Sequence, residues 1–322
     1  LNAEFYRFIR FDQRVRGNVT VWADQALDGG YTIDLVPAAA PSGYQDPENY
    51  FEGEVKVASS GTVVGTFTMG WVNSFIRKIT LEIGTMEGLP IPEKDDTGTR
   101  TWTSIFSEVG WDINVVVGNT SIPEPADSDG LLNDEQQHEL MLASRTPTDL
   151  DKEWKYYLLV IKKIEGVERG AVIDTGRTWN EAPREGSCLT TDWVYGTLWD
   201  GSEDTFTRWP ESVKGKKFIE LNDPWFRTAV HEVGHLFNLA HPHRIGFENQ
   251  IMTDTPSFVV AGEDGSTPQP FPENITPETF SFVPYDVLLL QHRPDIHVRP
   301  GYVDFGFAAQ VCVPLVLQET IY

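Results

Sequence analysis

The residues best suited to chemistry in this 322-residue chain lie in one stretch, Thr228-Ala-Val-His231-Glu232-Val-Gly-His235-Leu-Phe-Asn238-Leu-Ala-His241. His231 and His235 are four apart, so on a helix they stand one turn apart on the same face. Two imidazoles so placed can aim ring nitrogens at one metal ion about 2 Å from each. Glu232 follows the first histidine and can overhang the open side of the ion without ligating it. His241 comes six residues after His235, where a continuing helix would rotate it away. The chain must therefore break near Asn238 and turn back. Glycine is the usual residue for such a break because it takes positive φ freely. Asparagine is the non-glycine residue that tolerates left-handed geometry best. The chemistry implied is metal-activated water: three neutral imidazoles leave a fourth position open, with Glu232 as general base. With seven histidines in the chain, this spacing arises by chance on the order of once in several thousand such sequences.

Positioning these groups requires a helix over 226–238, and Val230, Val233, Leu236, Phe237 and Leu239 give it a face to bury. Upstream, the pattern predicts a strand over 76–83, a helix over 101–109 and a strand over 111–117. A polar loop over 119–130 leads to a helix over 131–144, with Ser128 or Asp129 as N-cap. Strands follow over 156–163 and 170–174, with one near a sheet edge at 190–195. After the metal helix the chain is rich in Pro and Gly to about residue 276, and a last helix is expected over 285–291. The first part reads differently. Alternating runs at 5–11, 18–23, 31–36, 51–58 and 62–69, separated by Gly-rich turns, predict a small all-β, sandwich-like module. The expectation is an α+β chain of two domains, 1–72 and 73–322, the second a twisted mixed sheet with packed helices.

Acidic residues outnumber basic ones 48 to 25, for a net charge of −23. That field repels phosphate backbones and anionic lipid, which argues against nucleic-acid or membrane-surface partners. No run of 18 apolar residues exists, so no membrane-spanning helix is expected. Sequons at Asn18, Asn119 and Asn274, and a start at Leu1 without a basic, apolar leader, read as a secreted chain lacking its signal peptide. Cys188 and Cys312 are compatible with one disulfide or with two free thiols.

The motif resembles that of the metzincin clan of zinc peptidases, which share His-Glu-x-x-His-x-x-Gly-x-x-His and a methionine turn beneath the metal. His231, His235 and His241 match the three zinc ligands, and Glu232 matches the general base. Asn238 stands where the clan has glycine. Met252, in Gln250-Ile-Met-Thr-Asp254, is the Met-turn candidate, its other reading being an ordinary core methionine. The segment Phe237-Asn238-Leu239-Ala-His241 is most similar to bacterial matrixin-like peptidases reading His-Glu-Leu-Gly-His-x-Phe-Asn-Leu-x-His. The likeness covers residues 76 to 285; the first 70 carry none. It implies a metzincin-like catalytic domain and a zinc-dependent endopeptidase acting on protein or peptide; the oligomeric state is left open, with a monomer favoured. Substrate would lie extended along an edge strand, for which 190–195 is the candidate. The clan's occasional tyrosine two residues after the methionine is replaced here by Asp254, leaving Tyr285 as a distant substitute. Clan members often carry structural Ca2+, for which the acidic loop 124–134 is the candidate. Cys188 has a faint likeness to the inhibitory cysteine of matrixin propeptides, but it falls within the catalytic region, which favours a disulfide to Cys312. His243 would close the open metal position and is expected in a loop. Two other readings share the motif: a zinc-containing adhesion or binding protein, and a narrow-specificity toxin-like protease.

Overall fold

Val, Thr and aromatic residues alternating with polar ones give the N-terminal strands their form. The computed structural model describes residues 2–8, 14–21, 31–42, 46–71, 74–126, 128, 130–149, 153–166, 169–173, 183–198, 201–204, 209–241, 250–254, 275–293, 295–301 and 304–305. Contacts divide the chain into two units, residues 1–77 and 78–322. In the first, β1 (Asn2–Phe8), β2 (Arg14–Val21), β3 (Tyr31–Pro37), β4 (Asp46–Val57) and β5 (Val63–Trp71) make one antiparallel sheet in the order β1-β2-β5-β4-β3. The described residues form a single sheet here, where the sequence suggested two facing ones. β5 pairs with both β2 and β4, so the hydrogen bonding runs unbroken across all five strands. Among the described residues of this unit, Val55, Val64 and Phe67 form a buried cluster with Leu35, Val57 and Met69 packed around them.

The second unit mixes helix and strand, which gives the chain its α+β class. Its sheet has the order β7-β6-β8-β10-β9, from β6 (Arg77–Thr85), β7 (Trp111–Val117), β8 (Lys155–Ile161), β9 (Gly170–Val172) and β10 (Gly186–Thr190). β8 runs parallel to β6 and to β10, and β9 closes one edge antiparallel to β10. The helices are α1 (Trp102–Glu108), α2 (Asp134–Ser144), α3 (Asn222–Leu236), α4 (Pro284–His292) and α5 (Asp295–Val298). Strand β8 reads Lys-Tyr-Tyr-Leu-Leu-Val-Ile and is apolar on both faces, as central parallel strands are. Successive side chains point to opposite faces. Tyr156, Leu158 and Val160 enter a core with residues of α1 and α3, whereas Tyr157, Leu159 and Ile161 enter one with Met141 of α2. Each buried Leu or Ile stabilises the fold by about 1.5–3 kcal/mol, so the central strand is held from both sides.

Three local expectations shift. Helix α2 is capped by Asn133, whose side chain accepts from Gln136 N while Gln136 reaches back, so neither Ser128 nor Asp129 serves. Helix α3 begins at Asn222, because Pro224 sits in the first turn, where its missing N–H costs nothing. The strand expected at 190–195 lies earlier, at Gly186–Thr190, and is internal; the edge is β9. Thr191 onward turns away, and Val194 makes only an isolated bridge to Lys217. Among the described residues no helix is long and apolar enough to cross a membrane.

Candidate metal centre

Helix α3 is buried from Pro224 to Leu236 and carries His231, Glu232 and His235. It ends in the reversal that the motif demands. Asn238 takes φ 65°, and its N–H donates to His235 O at 2.8 Å while Leu239 N–H donates to Gly234 O at 3.3 Å. These are the two bonds of a Schellman motif, with asparagine at the left-handed position. Phe237, the C-cap, is locked by edge-on contacts with Trp111, Tyr156 and Phe106 at 4.8, 4.9 and 5.5 Å between ring centres.

The reversal brings the third histidine home. His231 Nε2 lies 3.0 Å from both His235 Nε2 and His241 Nε2, and the last pair is 3.1 Å apart. His231 Nδ1 donates to Ile251 O at 2.6 Å, and His235 Nδ1 donates to Leu239 O at 2.7 Å. A carbonyl can only accept, so both rings carry their proton on Nδ1 and aim an Nε2 lone pair inward. Converging lone pairs repel unless a cation lies among them. Their spacing approaches the roughly 3.3 Å between ligands of a tetrahedral ion with bonds near 2.05 Å. Burial, then neighbouring His235, Arg227 and His241, hold His231 well below the usual imidazole range. Burial, followed by His241, brings His235 down to about 4. Neutral imidazoles are the form that binds metal. His231 and His235 are buried and His241 is exposed, so the cluster opens to solvent on that side. Among the described residues it is the one group of His, Cys, Asp or Glu arranged to hold an ion.

Support around the histidines comes largely from residues without a sequence signature. Arg227, one turn before His231, donates through Nη2 to the carbonyls of Gln250 (2.6 Å), Ile251 (2.9 Å) and Thr253. It thereby fixes the turn whose Ile251 carbonyl orients His231. Met252 lies buried in that turn, closed by Thr253 N–H to Gln250 O at 3.1 Å. A Cβ on Gly234 would come within 2.4 Å of Met252 Sδ, so the glycine allows the turn to press against the helix. At the C-terminus of α3, Arg184 donates to Leu236 O at 2.6 Å and Arg293 to Asn238 O at 2.7 Å. Both place positive charge where the helix dipole is negative.

Glu232 is buried against the edge strand. A Cβ on Gly170 would stand 2.5 Å from Glu232 Cγ, so β9 approaches the carboxyl with bare backbone. The other candidates scatter. Cys188 is a buried free thiol that donates to Gln137 Oε1 at 2.9 Å, and burial pushes its pKa up. Its expected disulfide partner Cys312, like His243, lies outside the described residues. Tyr285 stands exposed on α4. In the loop proposed for Ca2+, Glu124 pairs with Lys162, while Asp127 and Asp129 lie outside the described residues.

Comparison with protein families returned no match, and none was found among curated proteins. Among solved structures, the PilB minor pilin from Streptococcus sanguinis is similar at 11% identity over 70% of each chain, with a TM-score of 0.16, too slight a likeness to bear on the fold.

Proposed function

We propose that this chain is a zinc-dependent endopeptidase. The observation that carries the reading is the convergence of three Nε2 atoms within 3.1 Å, two with their tautomer set by backbone carbonyls. A glutamate follows the first of them on the same helix. His231, His235 and His241 would hold the ion through Nε2. When bound, zinc acts as a Lewis acid that brings the pKa of a water towards about 7 and polarises a carbonyl. Glu232 then takes a proton as water oxygen bonds to the scissile carbon. It passes that proton to the leaving nitrogen as the C–N bond breaks. A structural metal site would have no use for a base in that place. Strand β9 lies at the end of the sheet order beside Glu232, and an extended peptide would pair with its outer edge. Met252 under Gly234, the left-handed Asn238 and the mixed sheet agree with the metzincin likeness of the motif.

Metal analysis of the purified chain, with casein hydrolysis before and after chelation, tests the reading. One zinc per chain is expected, with hydrolysis lost on chelation and restored by zinc. Equal hydrolysis by metal-free and zinc-loaded protein would sink it.

A further inference from the structure

Among the described arginines of the second unit, Arg100 and Arg145 pair with Glu108 and Glu185. Arg184, Arg227 and Arg293 are structural: each sends its guanidinium to backbone carbonyls. Arg169 is not like them. It immediately precedes β9, and its own carbonyl accepts from both the N–H and the hydroxyl of Thr190 at 2.9 Å. Its guanidinium lies 4.9 Å from the ring centre of Trp193 and 5.8 Å from that of Trp209. Among the described residues it has no hydrogen-bond acceptor and no ion pair within bonding distance. Its five N–H donors thus lie beside two indole rings without a hydrogen-bond partner among the described residues.

The cage around it is rigid. Trp193 packs edge-on against Tyr195, Trp209 and Phe218 at 5.0, 5.6 and 5.9 Å, and Trp209 is anchored by its Nε1 donating to Asp204 Oδ2 at 2.9 Å. Trp193 and Thr190 also line a cavity of about 540 Å³, together with Lys162, Lys163, Ile164 and Val194. The charges and polar groups whose fields reach Arg169 are Tyr195, Glu232, Asp254 and Asp204, with Arg227 nearby. The guanidinium therefore feels the field of Glu232, and its neighbours Trp193 and Thr190 wall a space large enough for a side chain. A planar cation held near aromatic rings loses less entropy than a free one when a carboxylate accepts two of its N–H groups.

We propose that Arg169, caged by Trp193 and Trp209 at the start of the edge strand, is a specificity residue that binds a carboxylate of the chain lying along β9. This inference rests on the peptidase reading and adds its substrate class, peptides with an acidic group at one fixed distance from the scissile bond. The carboxylate can come from an Asp or Glu side chain or from a free C-terminus.

The test uses the zinc-loaded full chain and synthetic peptide pairs that differ by Glu or Gln at each position flanking the cleavage site, with free or amidated C-termini. Wild type should favour the carboxylate by about 10-fold or more in kcat/KM at one position. In Arg169→Gln that ratio should collapse towards one, and Arg169→Lys should keep part of it. Each ratio is internal to one protein, so altered folding of a variant does not imitate the result. Preference for Glu within the peptide identifies a side chain as the source, and preference for a free over an amidated terminus identifies the C-terminus. A ratio that survives Arg169→Gln, or no preference at any position in wild type, overturns the proposal. If wild type cleaves nothing, the peptidase reading falls by itself. Titration of tryptophan fluorescence with the same pairs then decides the subsite: tighter binding of the carboxylate member, lost in Arg169→Gln, upholds it, and equal binding removes it.

Discussion

The two sheets of this molecule solve the burial problem differently. The N-terminal sheet is antiparallel throughout; among its described residues Tyr50, Val55, Val64 and Phe67 are buried and Ile33, Val36 and Val63 are exposed. The second sheet hides β8 on both faces and carries a helix buried from Pro224 to Leu236. A site that must keep several groups in fixed geometry needs rigid supports on every side. Only the second unit supplies them among the described residues. The difference predicts where substitutions should hurt, and by how much.

The largest contrast is in activity. Glu232→Gln should retain zinc and lower peptide hydrolysis by about 10²–10⁴-fold, whereas Glu52→Gln in β4 should leave turnover unchanged; steady-state assays with metal analysis read both. Normal turnover in Glu232→Gln would remove the assigned base. The next is in stability. Leu159→Ala, fully buried on β8, should cost about 3 kcal/mol in urea unfolding. Ile33→Ala, at a residue 45% exposed, should stay within about 0.5 kcal/mol. Similar costs at both would erase the distinction between the sheets.

A third contrast concerns charge. Asp286 on α4 is buried with Oδ2 lacking a partner, and burial raises its pKa to about 7. Its proton is bound more tightly in the folded state, so its contribution to stability is full below about pH 4. That contribution fades as pH rises through 7. Asp286→Asn should therefore flatten the fall in unfolding midpoint between pH 5 and 8, while Asp34→Asn, at an exposed pair with Lys56, should leave the midpoint unmoved. An unchanged slope in Asp286→Asn would show that another group sets it.

The smallest effect is one in which the units should agree. Asn238 has φ 65° and Gly61, in the β4–β5 turn, φ 70°. The difference between Asn238→Ala and Asn238→Gly should match the cost of Gly61→Ala, about 1 kcal/mol each, because positive φ strains alanine alike in both places. A much larger gap at 238 would mean that tertiary contacts bear on it beyond backbone conformation.

The histidine spacing and the break at Asn238 were legible because each is a local matter of helix geometry and backbone conformation, whereas Met252 was singled out by the motif's likeness to the metzincin clan. Most strands and helices could likewise be read from their periodicity. The edge strand was misplaced for a physical reason. Gly186–Thr190 is buried on both faces and shows no alternation, whereas the aromatic residues at 193 and 195 imitate a strand while packing edge-on against each other. Arg184, Arg227 and Arg293 could not have been found. Arg184 and Arg293 reach carbonyls 52 and 55 residues away, and an arginine bonding to distant backbone leaves no pattern in sequence. Gly170 and Gly234 belong with them, since what each makes room for comes from elsewhere in the chain.

The helix end at Asn238 has one more consequence. Leu239 donates its amide to Gly234 and lends its carbonyl to His235, so the residue that finishes the helix also aims a ligand. Unwinding that last turn would release the His235 ring and swing His241 aside together. Fraying and release of an ion held there would then be a single event, and adding zinc should slow amide hydrogen exchange at Asn238 and Leu239 as a clasp would.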